Sequence, residues 1–353
     1  MQATRANRTT RRRRLPPGQR LLLMLSLAGA AAGIVGFVLP ARDETEPPPL
    51  DAATQVQTPG PPFQLTESID ALGNQIKERS NLPKLSTGVF MVEPATGKYV
   101  DFNGRVAYPA ASIIKLPILV KLLAAIDAGT VQMDQVLTIR QDLIGGGSGF
   151  LQWRRPGSKL SLRETAELMM IFSDNTATNM VIDLLGGKDE FNKDFQTWGL
   201  TQTRINNWLP DLPGTNTTSP YDLVSLLGRI EAGELISLKS REWMYGVMGR
   251  NRIRTLLPMG IPAGTKIADK TGDIGRLVGD AGVISTKSGQ RYLIAVQVER
   301  PHNDRRANQL IREISKDTYV AITGDVEGAK TVLVPQKKVV HHRKHVRHKR
   351  RHR

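Results

Sequence analysis

The stretch Ser112-Ile-Ile-Lys115, followed by Ser173-Asp-Asn175 and then Lys270-Thr-Gly272, is more informative about fold and chemistry than any other part of the chain. Together these motifs supply a serine with a lysine three residues later, a second hydroxyl with an amide, and a cation beside a third hydroxyl. Such groups are sufficient for acyl transfer through a serine nucleophile without a histidine.

Histidine is nearly absent from the part of the chain that carries these motifs. Of the six histidines, only His302 lies outside the C-terminal segment, and the others are His341, His342, His345, His348 and His352. A serine, histidine and aspartate triad is therefore not expected.

The surroundings of the first motif fit a nucleophile. Ser112 follows Pro109-Ala-Ala and opens an apolar run to Ala128, so it is predicted to lie at a helix N-terminus, where free backbone N–H groups can stabilise an oxyanion. Lys115 is predicted to lie on the same face one turn later. A helix-capping serine and a surface lysine would give the same local pattern, so this motif alone leaves both interpretations open.

The order and spacing of the three motifs resemble those of the penicillin-recognising serine hydrolases, and most closely the class A β-lactamase family. The resemblance covers roughly residues 67–323 and includes the stretches 109–117 and 173–179. It implies an α+β fold in which helices flank an antiparallel sheet and a second lobe is all-helical.

The resemblance also implies a role for each motif residue. Ser112 would be the nucleophile, Lys115 its base, and Ser173 the relay that protonates the departing nitrogen. The residues implied to bind substrate or its oxyanion are Asn175, Lys270, Thr271, Gly272, Asp273 and Arg276. No metal or cofactor is expected.

One departure from the family pattern concerns the second half of the reaction. Class A enzymes carry a glutamate in a Trp-Glu-Pro context that activates the deacylating water, whereas this chain has Trp208-Leu209-Pro210. Leucine cannot accept a proton. Asp211 is a possible substitute, although alternate positions of an extended loop point to different sides.

Three functions remain open from the sequence. The first is a β-lactamase-family hydrolase that is acylated by β-lactams and deacylates slowly. The second is a penicillin-binding D,D-peptidase-like enzyme that acts on peptidoglycan stem peptides, and the third is a cell-envelope binding protein without turnover. The complete set of motif residues argues against the third.

The net charge of +16 comes from the two ends of the chain. Seven of the 49 basic residues lie in residues 1–20 and ten in residues 330–353, and neither segment has an acidic residue. The rest therefore holds 32 basic and 33 acidic residues, so the central domain is nearly neutral. This distribution argues against a nucleic-acid-binding domain.

The N-terminal region is predicted to anchor the protein in a membrane. Residues 1–20 form a basic cytoplasmic segment, and residues 21–39 form a charge-free run long enough to span a bilayer. A cleaved signal peptide is the alternative. Residues 40–66 are rich in proline and are predicted to be a linker that holds the catalytic domain, residues 67–323, outside the cytoplasm.

Residues 324–353 are predicted to be a disordered, basic and histidine-rich tail. Anionic envelope polymers or lipid head groups are its expected partners, because an exported domain rarely meets nucleic acid. The chain has no cysteine, which excludes a disulfide framework.

Overall fold

A computed structural model of the protein describes residues 59–330, in which the central feature is a six-stranded sheet of order β1-β3-β2-β10-β9-β8. Two further pairs, β4 with β7 and β5 with β6, are short. The strands are β1 (Glu67–Ser68), β2 (Ser86–Glu93), β3 (Lys98–Phe102), β4 (Tyr108–Pro109), β5 (Val136–Thr138), β6 (Lys159–Ser161), β7 (Thr217–Thr218), β8 (Lys266–Asp273), β9 (Leu277–Ser285) and β10 (Arg291–Glu299).

Strands β3, β2, β10, β9 and β8 pair antiparallel with their neighbours in that order, and only the edge strand β1 pairs parallel, with β3. β2 and β10 are buried along almost their whole length, which explains why both read as continuous apolar runs. The last three strands form a meander that places β8, with Lys270 and Thr271, at the edge of the sheet. The predicted α+β fold is confirmed.

Five of the helices in residues 59–330, α3, α4, α6, α7 and α8, begin at a residue whose side chain caps the first turn. Ser161, Ser219 and Ser237 each accept a hydrogen bond from a backbone N–H of the first turn that follows. The helices are α1 (Asp70–Arg79), α2 (Lys115–Asp127), α3 (Leu162–Ile171), α4 (Asn175–Leu184), α5 (Lys188–Thr197), α6 (Pro220–Glu231), α7 (Leu238–Met248), α8 (Arg305–Thr323) and α9 (Val326–Lys330).

Two apolar cores lie on opposite faces of the sheet. The larger surrounds α2, whose residues Leu116 and Ile118–Val120 are fully buried, and joins the helical lobe to one face of the sheet. The smaller packs α1 and α8 against the other face, with Ile311 and Ile314 fully buried. The site-bearing turn at the start of α2 is thus fixed by the larger core.

The ordered domain is longer at both ends than the sequence predicts. Phe63 lies in the predicted linker but is buried and stacks on Phe90 at 6.1 Å, and the Arg229 guanidinium donates to the Gly60 carbonyl at 2.6 Å. At the other end, α9 lies in the predicted tail. The proline-rich composition of the N-terminal segment predicts a linker, but the single aromatic residue Phe63 is enough to dock it on the domain.

Among residues 59–330, no helix is both long and apolar enough to cross a bilayer. The predicted span, residues 21–39, and most of the predicted basic tail lie outside the described residues.

Candidate active site

The first motif occupies the turn that leads into α2. Residues Ala111–Ile114 form a 3-10 turn, and Ala111 has φ of 47°, a left-handed conformation that is uncommon for alanine. Ser112 lies in this turn, and Lys115 begins α2 with its side chain completely buried. Backbone strain of this kind is concentrated at functional sites.

The amine of Lys115 is the hub of the site. Its nitrogen lies within hydrogen-bond distance of four oxygens: Ser112 Oγ at 3.0 Å, the Ser173 carbonyl at 2.7 Å, Ser173 Oγ at 3.0 Å and Asn175 Oδ1 at 2.8 Å. The first and second motifs, about 60 residues apart in the chain, therefore meet at one nitrogen.

A second buried lysine completes the cluster. Lys270 Nζ donates to Ser173 Oγ at 3.2 Å and to the Thr271 carbonyl at 2.8 Å. Burial, with the nearby charge of Lys270, lowers the pKa of Lys115 well below its usual value, and burial lowers the pKa of Lys270 to about 8. A lysine with a depressed pKa can serve as a base near neutral pH.

Gly272 allows β8 to approach the nucleophile. A Cβ atom at this position would lie 2.9 Å from the backbone nitrogen of Ser112 and 2.9 Å from Ile113 Cγ1, so any side chain would force the turn and the strand apart. Gly272 thus permits contact with the turn as well as leaving room for a substrate. Asp273, the next residue, also lines the cleft, and its carboxylate pairs with Arg300 at 2.6 Å.

The second motif lies between α3 and α4, where the chain makes a sharp turn. Ser173 has φ of 56°, and Asp174 caps α4 by accepting from the Ala177 N–H at 2.9 Å. The other Asp174 oxygen accepts from the N–H groups of Phe150 at 2.6 Å and Leu151 at 2.8 Å. This carboxylate orders both the motif and the facing loop.

Leu209 lies at the position where class A enzymes are expected to carry their water-activating glutamate. It is 5 % exposed and lines the cleft, and its peptide bond to Pro210 is cis. The Asn179 amide holds its backbone, accepting from the Leu209 N–H at 3.0 Å and donating to the Leu209 carbonyl at 2.7 Å. A Cβ atom on Gly145 would lie only 2.3 Å from that carbonyl, so the two loops are tightly packed here.

Asp211 also borders the cleft, but its carboxylate is committed to its own loop. One oxygen accepts from Thr215 Oγ1 at 2.9 Å and the other from the Asn216 N–H at 2.6 Å. These bonds close the turn that follows Pro210. To act as a base, Asp211 would have to release one of them.

Arg276 differs from the other predicted site residues. It is not among the cleft-lining residues of the described chain; its guanidinium donates to the Pro213 carbonyl at 3.0 Å and to Glu299 at 2.9 Å. It therefore ties β9 and β10 to the loop that carries Leu209. Its predicted contact with a substrate carboxylate would require it to release these bonds.

A pair of buried carboxyl groups, missed by the sequence analysis, lies beside Lys270. Asp280 on β9 pairs in register with Thr271, so it lies diagonally across from Asp269 on β8, and both carboxyl groups are fully buried. Burial raises the pKa of Asp269 to about 6 and raises that of Asp280 well above its usual value. The adjacency of Asp269 to Lys270 was visible in the sequence, but the cross-strand partner was not.

The cleft that Ser112, Ser173 and Thr271 line has a volume of about 340 Å³, and two loops with exposed aromatic side chains lie beside it. Phe150, Trp153 and Trp208 are exposed, Trp153 to 82 %. They are the only exposed aromatic side chains among residues 59–330, and all lie in the loops on either side of Leu209. Phe150 packs edge-on against the Phe172 ring, with the ring centroids 5.0 Å apart.

The fold and this cluster define a serine hydrolase of the class A β-lactamase-like type. A sequence profile of the Beta-lactamase enzyme family matches residues 65–322, so the chain belongs to that family. The resemblance stated from the three motifs is confirmed.

Individual relatives place the chain within the family. It is 29% identical to a β-lactamase of Streptomyces fradiae, and the match covers 67% of this chain and 81% of that protein. It is 26% identical to β-lactamase AER-1 of Aeromonas hydrophila, and the match covers 65% of this chain and 80% of that protein. Among solved structures, the β-lactamase of Sphaerobacter thermophilus is 26% identical with a TM-score of 0.65, covering 71% and 97%.

A higher similarity links the chain to PBP-A. A structure of that protein is 46% identical with a TM-score of 0.72, covering 74% of this chain and 99% of PBP-A. A second structure is a leucine-to-glutamate mutant of PBP-A described as an acyl-enzyme complex with penicillin G; it is also 46% identical, with a TM-score of 0.72, covering 73% and 98%.

Proposed function

We propose that this protein is acylated on Ser112 by β-lactams and releases the acyl group slowly. The observation that carries the proposal is the meeting of Ser112, Ser173 and Asn175 at the buried amine of Lys115, opposite a leucine where a deacylating carboxylate would be needed.

The chemistry of acylation follows from the contacts. Neutral Lys115 accepts the proton of Ser112 Oγ as this oxygen attacks the carbonyl carbon. As the tetrahedral intermediate collapses, the carbon–nitrogen bond breaks. Ser173, in contact with both lysines, gives its proton to the leaving nitrogen and takes the proton held by Lys115, which becomes neutral again. Thr271, whose buried hydroxyl has no partner among residues 59–330, is available to bind the substrate carboxylate beside Lys270.

Hydrolysis of the resulting ester needs a water molecule and a group that accepts its proton. Leu209 cannot accept one, and both oxygens of Asp211 are engaged in the loop. The acyl-enzyme is therefore expected to persist. The acylation step is supported by similarity, because a mutant of PBP-A, to which this chain is 46% identical, is described as an acyl-enzyme complex with penicillin G.

The same features favour a second candidate function on the same site. A D,D-peptidase-like enzyme acting on peptidoglycan stem peptides uses the acylation machinery and passes the acyl group to an acceptor, so it does not require the glutamate. In either case we propose that residues 21–39 anchor the protein with its catalytic domain outside the cytoplasm, and that the basic tail contacts anionic envelope polymers or lipid head groups.

A fluorescent penicillin label followed by a chase with unlabelled penicillin tests the proposal. Persistent label on the native protein, absent from Ser112→Ala with an unchanged melting temperature, is the expected result. Rapid loss of label would indicate an efficient β-lactamase, and absence of label would indicate a binding protein. Release of D-alanine from a stem pentapeptide distinguishes the peptidase.

A further inference from the structure

A second cavity, of about 630 Å³, lies behind the active site, between the C-terminal end of α7 and the N-terminal half of β8. It shares no lining residue with the catalytic cleft. Its volume is within the range of roughly 300 to 1,000 Å³ that is typical of small-molecule sites. No step of the proposed acyl transfer uses it.

The charge of this cavity is one-sided. Arg250, Arg254, Lys266 and Arg291 are among its twelve lining residues, and none of the twelve is acidic. The central part of the chain is nearly neutral, so an acid-free cavity with four cations does not follow from composition. Lining of this kind attracts anions and repels cations.

Only two of the four cations are neutralised. Arg250 pairs with Glu167 at 3.1 Å and Arg291 with Glu231 at 2.9 Å, both carboxylates lying outside the lining. Arg254 and Lys266 form no ion pair among residues 59–330. Burial raises the pKa of Asp269 and the charge of Arg254 acts against that rise, so Arg254 is offset in part by this carboxyl. About one to two positive charges are therefore left for a ligand.

The remaining lining indicates an organic anion rather than a bare ion. Ala268 and Val283, a cross-strand pair, supply an apolar surface, and Tyr245 stands beside it with the Arg291 guanidinium 5.3 Å from its ring centroid. Thr265 contributes a hydroxyl that has no partner among the described residues. A ligand that satisfies this lining combines an anionic head with a less polar body.

We propose that this cavity binds a phosphate ester. At neutral pH a phosphate group carries about one negative charge as a diester and about 1.5 to 2 as a monoester, so either form suits the charge left by Arg254 and Lys266, and its oxygens fit the forked donors of arginine. The organic portion of the ester lies against Ala268 and Val283. A soluble envelope polymer and a phospholipid head group are both sources of such an ester.

The test measures binding of glycerol 3-phosphate to the full chain at physiological salt. Arg254→Gln combined with Lys266→Gln is expected to weaken binding at least tenfold. The control, Lys239→Gln with Arg305→Gln, removes the same charge from exposed positions away from the cavity and leaves the basic tail intact, so it should change affinity less than twofold. Equal losses in the two double variants would overturn the proposal.

Two further arms sharpen the result. Arg254→Lys with Lys266→Arg keeps the charge and should retain most of the affinity; a loss as large as that of the glutamine variant would contradict a charge-based site. Inorganic phosphate should bind more weakly than glycerol 3-phosphate, and equal affinity would refute the role of the apolar surface. Binding of a glycerol phosphate oligomer and of phosphatidylglycerol vesicles then identifies the source. The probe that corresponds to the source should bind the glutamine variant more weakly than the native protein, and should bind the control variant as well as the native protein.

Discussion

Leu209→Glu is the substitution that most directly tests the link between this site and slow deacylation. Asn179 holds the backbone of Leu209, so the peptide should stay in place when the side chain is replaced. A correctly placed general base contributes about 10²–10⁴ in rate, and misplacement by about 1 Å can cost about a hundredfold. We therefore expect the steady deacylation rate to rise by about tenfold or more, with little change in acylation.

The same substitution should destabilise the fold. Leu209 is 5 % exposed and belongs to the larger core, so loss of its burial should cost about 1.5–3 kcal/mol, with a further cost for burying part of a carboxylate. The melting temperature should fall by several degrees. If Leu209→Glu deacylates faster although it is less stable, the gain in rate cannot be due to a more stable protein.

The assay follows hydrolysis of a chromogenic β-lactam after rapid mixing. Native protein should give a burst of about one equivalent and then a much slower steady rate, whereas Leu209→Glu should raise only the second phase. Leu209→Gln is the matched control, because it has nearly the same size and polarity but cannot accept the proton. Burst-free native turnover, or equal acceleration by glutamine, would refute the reasoning.

Three further predictions concern other parts of the protein. Lys115→Ala should slow acylation by several orders of magnitude. The native acylation rate should rise with pH as Lys115 becomes neutral and fall above about pH 8 as Lys270 loses its charge. A flat rate profile between pH 6 and 9 would contradict these roles. Asp174→Asn should lower the free energy of unfolding in urea by about 1–3 kcal/mol, because the charged acceptor of three backbone N–H groups is weakened, whereas Asp142→Asn on the surface should have little effect. Deletion of residues 337–353 should leave turnover of a soluble substrate unchanged but reduce binding to anionic envelope fractions in a salt-dependent way. If the protein binds these fractions equally well after the deletion and at high salt, an electrostatic role of the tail is excluded.

The sequence predicted those features that depend on local chemistry. The turn stretch 94–97 between two apolar runs predicts the pairing of β2 with β3, Ser219 before Pro220 predicts the start of α6, and the turn at 287–290 predicts the pairing of β9 with β10; all three form. By contrast, residues 162–185 read as one apolar helical run, whereas the structure breaks it at Ser173, whose left-handed backbone precedes an aspartate bonded to a distant loop.

Features created by contacts between distant segments could not be predicted. Asp280 becomes the neighbour of Asp269 only through strand pairing, and Arg276 meets the Pro213 carbonyl only after the loop has folded over β9. The docking of Phe63 is of the same kind, since nothing in a proline-rich stretch identifies the aromatic group it will contact.

The position of β8 at the edge of the sheet has a consequence for substrate shape. No strand pairs with its outer side among residues 59–330, and Thr271, Gly272 and Asp273 line the cleft there. A free edge is ordinarily an aggregation hazard, but here it offers backbone donors and acceptors to a peptide lying in the cleft. An extended segment lying there would be in position to pair with β8 as a seventh strand.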